Sequence, residues 1–419
     1  MKNLKRILVP SLLAVSALMA LAAPADAYTY STITTFNGTN GGAPESSMIK
    51  SGNKFYGVTE NTVFRYNSNN GHFDVLWTAC TTTGCATNFF GKLVIDTNGN
   101  LYGTAVDGGA NGGGEVFELV KPAMGTTWTI TDLYDFCSVK VGSVCTDGKF
   151  PNSLAFDGSS YDGTSQLFGT TSFGGTSDDG TVFTLHLSGG VWSEKAIHSF
   201  SGAPGDGSGP RSVLYVDSLN NLWGTTSSGG SATTRGIAFE LAHGANLWTS
   251  PWTETVIYNF CWNGGSCPDG WNPGALVPDA SGNFLGAAVG GGSGPAGVIY
   301  KLSNGSCHEG GTPTFWCSTV LYNFLAGSDG QAPYSELTLD GSGNIFGTTI
   351  LGGTNSEGTA YEVSGTSETV LYSFCSAASC DDGSQPMAGL TLDASGDLFG
   401  LTSEGGSSGE GVLFELANP

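Results

Sequence analysis

The chain has 419 residues, of which 36 are acidic and 14 are Lys or Arg, giving a net charge of −22 with 66 glycines. Such a balance argues against nucleic acid and anionic membranes as partners, because binding phosphates needs clustered Lys and Arg. It is the signature of an acidic, solvated surface.

Residues 1–27 read as a secretory leader. Lys2, Lys5 and Arg6 precede an apolar run from Leu8 to Ala23, and Ala25-Asp26-Ala27 is a small-residue cleavage site. The run is short for a membrane span and no second one follows. No Cys sits at the cleavage site, and the chain ends on Phe414 to Pro419 without an apolar tail. The expectation is a released, soluble, monomeric product of residues 28–419 forming one domain. Export permits disulfides, and the ten cysteines fall into five close pairs: Cys80 with Cys85, Cys137 with Cys145, Cys261 with Cys267, Cys307 with Cys317, and Cys375 with Cys380. Zinc is the weaker reading of these cysteines, since no CxxC occurs.

Six segments beyond the leader are near copies of one another, among them LFGTTSFGGTSDDGTVFTL, IFGTTILGGTNSEGTAYEV and LFGLTSEGGSSGEGVLFEL, and FYGVTENTVFRYN is a seventh copy without the middle loop. Each unit predicts four short strands. Strand a is a run such as PNSLAFD or PYSELTLD, followed by a turn such as DGSGN in which Asp caps and Gly supplies positive φ. Strand b is the LFGTT run, strand c the GTVFEL run after a Gly-Gly loop, and strand d a run such as ETVIYNF or TVLYNF. No helical period appears beyond the leader, so the fold class is all-β. The chain opens on a lone strand d, Ser31 to Phe36, and closes on a strand c, Gly411 to Leu416. Joining them predicts a seven-bladed β-propeller of four-stranded blades, closed by the N-terminal strand completing the last blade.

The repeat D-x-x-G-N-L-Y-G-T-T-x-x-G-G-x-x-x-x-G-T-V-F-E-L resembles that of the GloVer tandem-repeat (choice-of-anchor) family of exported proteins. The resemblance covers nearly all of residues 28–419 and implies export and a propeller. Members of that family usually carry a C-terminal sorting anchor, which this chain does not show. The resemblance implies no reaction.

In a propeller, strand a lines the central channel, and the d-to-a and b-to-c loops share the top face, where ligands usually bind. The top loops repeat D-G-x-x-P, with Asp147, Asp206, Asp269, Asp329 and Asp382 ahead of Pro151, Pro210, Pro273, Pro333 and Pro386. A ring of carboxylates holding Ca²⁺ is one reading; turn capping, favoured by the repetition, is the other. No other cofactor is indicated. All five histidines fall in strand d or the c-to-d connections, which disfavours a top-face histidine catalyst or metal site.

What does not recur points to one sector. Arg211 and Arg235 belong to the top loops of the fourth unit, and the next top loop, CWNGGSCPDGWNP, carries Trp262, Asp269 and Trp271. Trp beside Arg and a carboxylate is suited to stacking on sugar rings and pairing with an acidic substituent; packing between blades is the structural alternative. The leading functional reading is an exported non-catalytic protein that binds glycan or protein through the top face. The alternatives are an exported polysaccharide lyase or glycoside hydrolase using Asp206, Asp269 or Asp329 with Arg211 or Arg235, and a structural surface or matrix component.

Overall fold

The computed structural model describes residues 27–79, 86–156, 160–231, 235–262, 265–309 and 312–419. Of the leader expected at residues 1–27, all but Ala27 therefore lies outside the described residues.

Each repeat unit folds as a small antiparallel sheet with its strands in the order a-b-c-d, and seven sheets stand in a ring. Blade 1 has Ile49–Ser51, Lys54–Val58, Thr62–Asn67 and His72–Thr78, and blade 2 has Val94–Ile95, Leu101–Ala105, Glu115–Val120 and Thr129–Asp135. Blade 3 has Lys149–Phe156, Leu167–Phe173, Thr181–Ser188 and Val191–Ser199, and blade 4 has Tyr215–Val216, Leu222–Thr225, Ile237–His243 and Trp252–Asn259. Blade 5 has Val277–Pro278, Phe284–Gly290, Val298–Glu309 and Thr312–Asn323, and blade 6 has Thr338–Leu339, Ile345–Leu351, Thr359–Ser364 and Ser367–Ser373. Blade 7 takes strands a to c from Thr391–Leu392, Leu398–Thr402 and Val412–Ala417 and strand d from Thr29–Thr35, at the other end of the chain. That strand pairs antiparallel with Val412–Ala417, from Thr29 opposite Ala417 to Thr35 opposite Val412. The closure read from the two chain ends is thus present.

The repeated glycine of strand b has a steric cause. Gly169 stands directly opposite Phe183 of strand c, and Gly400 opposite Phe414. A Cβ on either glycine would collide with the facing ring, and the same holds at Gly57, Gly103, Gly224, Gly286 and Gly347. The ring that lies over each glycine also forms the seam between blades. It meets an aromatic residue from the end of the preceding blade: Phe136–Phe183, Phe200–Phe239, Phe260–Tyr300, Phe324–Tyr361 and Phe374–Phe414 have centroids 4.9–5.2 Å apart. Phe36–Phe64 completes the set at 5.6 Å across the closure, while at blade 2, where the preceding blade ends on Ala79, Phe89 of the d-to-a loop meets Phe117 at 5.4 Å. Such pairs add about 0.5–1.5 kcal/mol each beyond the apolar area they bury.

Three disulfides, Cys137–Cys145, Cys261–Cys267 and Cys375–Cys380, pin d-to-a loops, and Cys307–Cys317 ties strand c to strand d in blade 5. Four of the five bridges expected from the cysteine spacing are thus formed. The fifth expected pair, Cys80 with Cys85, lies outside the described residues. No helix among the described residues is long and apolar enough to cross a membrane.

Candidate binding site at the channel mouth

The repeat proline positions the mouth of the channel. The residue before it donates its backbone N–H to a carbonyl in the b-to-c loop of the preceding blade. The pairs are Ala43–Glu410, Asn88–Glu60, Phe150–Gly113, Gly209–Asp179, Asn272–Arg235, Ala332–Ala296 and Gln385–Glu357, at 2.8–3.0 Å (in blade 2, Phe89 stands where the proline would be). To reach that carbonyl the residue takes positive φ, from 44° at Ala43 to 64° at Gly209, in every blade. The cost of left-handed backbone is met by a hydrogen bond that would otherwise be missing in a crowded loop.

This geometry aims the residue after the proline into the channel. One position per blade, seven in all, forms a ring: Glu45, Phe90, Asn152, Arg211, Gly274, Tyr334 and Met387 all line one cavity of about 370 Å³. No two of the seven are alike, whereas the position that follows is always Ser, Ala or Gly. Phe150 and Phe173 add two more rings to the same cavity and pack edge to face at 5.9 Å. Phe173 and Tyr334 are 41% and 37% exposed, so their faces are open to a ligand.

Two residues deeper, Lys92 of blade 2 and Glu336 of blade 6 meet across the channel, with Nζ 2.7 Å from the carboxylate. Both line the upper cavity and also a second one of about 940 Å³ below, so the ion pair stands between the two. Arg211 is exposed at the mouth and has no ion-pair partner among the described residues. Glu45, on the same ring, has its carboxyl held above the ordinary carboxylate range by burial and by the nearby Glu60.

The five residues expected from the sequence fare differently. Arg211 lines the cavity. Arg235 and Trp271 stand beside it: the guanidinium lies 5.9 Å from the indole centre, and the Arg235 carbonyl accepts from Asn272, itself a lining residue. Trp271 also packs against Gly290. Trp262 is 38% exposed on the Cys261–Cys267 loop but does not line the cavity. Asp269 is buried and accepts from the Tyr258 hydroxyl at 3.0 Å and from the Cys261 N–H at 2.9 Å.

The other repeated aspartates do the same work. Asp147, Asp329 and Asp382 accept from the N–H of Ser138, Leu325 and Ser376 at 2.8 Å, and from the hydroxyls of Tyr134, Tyr322 and Tyr372. Each carboxylate closes its own loop, which is turn capping rather than a converging set of cation ligands. The fourth unit departs here: His198 stands where the others have tyrosine, beside Asp206.

Sequence reading missed Phe90, Phe150, Phe173, Tyr334 and the Lys92–Glu336 pair. The available signal was the position after the repeat proline, which differs in every unit.

These features define the chain as a seven-bladed propeller with an aromatic and partly cationic channel mouth. Residues 247–419, which include strand d of blade 4 and run to the last residue, match the model of the Gloeobacter/Verrucomicrobia repeat. None of the curated proteins compared is similar in sequence. Among solved structures, a chain of the mitotic checkpoint complex is 12% identical, with 99% of each chain covered and a TM-score of 0.48. A putative 6-phosphogluconolactonase from Bacteroides uniformis is 12% identical over 86% of this chain and 88% of its own, with a TM-score of 0.46. An auxiliary nutrient binding protein from Bacteroides thetaiotaomicron is 10% identical over 90% of this chain and 69% of its own, with a TM-score of 0.45.

Proposed function

We propose that this is an exported, non-catalytic binding protein whose channel mouth holds a glycan bearing an acidic substituent. The propeller and its repeat fit a binding or surface role. The observation that carries the ligand class is Arg211: an exposed guanidinium without an ion-pair partner among the described residues, in a cavity also lined by the partly exposed rings of Phe173 and Tyr334. Aromatic faces stack on the apolar faces of sugar rings, and a guanidinium pairs with a carboxylate or sulfate in a planar, two-bonded geometry. Arg235 on Trp271 extends the same surface outward. The four disulfides agree with an oxidising compartment, as does the leader expected at residues 1–27.

The test is a glycan-array screen, with and without calcium, followed by titration of the best ligand into Arg211→Ala, Tyr334→Ala, Trp262→Ala and Trp271→Ala. Arg211→Ala is expected to weaken an acidic glycan at least about tenfold, as loss of a charge-assisted pair would. Equal affinity for neutral and acidic glycans, unchanged by Arg211→Ala, would remove the proposal.

The enzyme reading draws on one observation, the raised carboxyl of Glu45 at the mouth. The acids first considered for it, Asp206, Asp269 and Asp329, are engaged in their own loops. Product formation from a bound glycan, abolished by Glu45→Gln, would decide for catalysis.

A further inference from the structure

The clasp of the fourth unit differs from its sisters in a way that binding at the mouth does not explain. In three places a glutamate on strand d of one blade faces the Asp clasp of the blade before. Glu194 lies beside Tyr134 and Asp147, Glu368 beside Tyr322 and Asp329, and Glu254 beside His198 and Asp206. At the first two sites the third member is a phenol that donates to the aspartate, at 2.9 and 3.0 Å, and burial holds it protonated. At the third it is an imidazole. His198 Nε2 is 3.6 Å from Asp206 Oδ1 and 3.8 Å from Glu254 Oε2, too far for a hydrogen bond to either. The nitrogen is buried with no hydrogen-bond partner; Glu254 Oε1 is also without one, as are Glu194 Oε1 and Glu368 Oε1 at the sister sites, so it is the imidazole that sets this site apart.

We propose that His198, Asp206 and Glu254 bind a divalent transition-metal ion, of which Zn²⁺ fits best. One imidazole and two carboxylates offer three donor atoms within 4.8 Å of one another. Tetrahedral zinc, with bonds of about 2.0–2.1 Å, sets its ligand atoms roughly 3.3–3.5 Å apart. The separations from His198 Nε2, 3.6 Å to Asp206 and 3.8 Å to Glu254, come within a few tenths of an ångström of that spacing. The carboxylate of Asp206 is already oriented by the N–H groups of Ser201 at 2.8 Å and Gly207 at 2.6 Å and by the Ser201 hydroxyl at 3.0 Å. The ligands come from strand d of blade 3, the loop after it and strand d of blade 4. The ion therefore staples two blades at the outer rim and keeps one coordination position for water. No covalent bond in the protein changes.

The experiment uses the full chain without an affinity tag, stripped by chelator and then titrated with Zn²⁺ and separately with Co²⁺. Expected are about one ion per chain, a melting temperature raised by several degrees at saturation, and visible Co²⁺ absorption of a tetrahedral site. His198→Tyr rebuilds the sister clasp, so it should fold and lose both the thermal shift and the Co²⁺ band. Glu254→Gln is the second variant, expected to keep the fold and weaken binding at least about tenfold. The proposal falls if the wild-type chain shows no Zn²⁺-dependent shift, if either folded variant responds as the wild type does, or if Mg²⁺ and Ca²⁺ give the same response.

Discussion

The seams between blades and the ring at the channel mouth are built from the same repeat and obey opposite rules. At the seams one arrangement is written six times, an aromatic residue from one blade against the strand c ring of the next, over a glycine that leaves room for it, and at blade 2 Phe89 takes the place of that aromatic. At the mouth the same backbone device, a left-handed residue donating to the preceding blade, presents seven different side chains. The backbone of the repeat is thus spent on closing the ring, and identity is left free at one position per blade. Chemistry can vary there without cost to the fold. The clasps lie between these extremes, recurring in form while one of them exchanges tyrosine for His198.

The contrast predicts how variants divide. Deleting residues 28–37 removes strand d of blade 7 and Phe36, and should abolish cooperative unfolding; a truncated chain with an unchanged melting temperature would refute closure through this strand. Phe374→Ala empties a seam position and should cost about 3–5 kcal/mol in denaturant unfolding. Substitutions at the mouth should do far less. Arg211→Ala is expected to alter stability by no more than about 0.5 kcal/mol while changing ligand binding, and a larger loss would mean that the ring is structural.

The clasps give a pH signature between these two cases. Burial and then Asp147 raise the Glu194 carboxyl to about 8, and burial and then Asp329 raise that of Glu368 to about 7. The folded state therefore holds protons that the unfolded chain, with glutamates near 4.5, has released. This contribution is fully present below pH 4.5 and is lost as pH rises through 7–8, so the melting temperature should fall from pH 5 to pH 8. The double variant Glu194→Gln, Glu368→Gln should flatten that slope, and an unchanged slope would assign it elsewhere.

Most of the fold was legible because a propeller repeats. Strand d at residues 31–36 and strand c at 411–416 could be matched as halves of one blade from their pattern alone, since each has a fixed place in the unit. The candidate site was legible only in part. Arg211 stood out as one of the few arginines, but Phe173 and Tyr334 looked like ordinary members of a run. Trp262 and Asp269 were drawn in because they neighbour Trp271 in sequence, yet Asp269 closes a loop and Trp262 lies off the cavity.

The sequence by itself determined blade number, strand order, the closing strand and the turn role of most Asp, Gly and Pro, because these follow from local pattern and its phase. The tertiary structure decided which side chains meet across the ring. Lys92 and Glu336 are 244 positions apart and pair across the channel, and Glu254 reaches His198 from the next blade. Such contacts depend on where the closed circle places the start of each strand a and the face of each strand d. No local period encodes that distance.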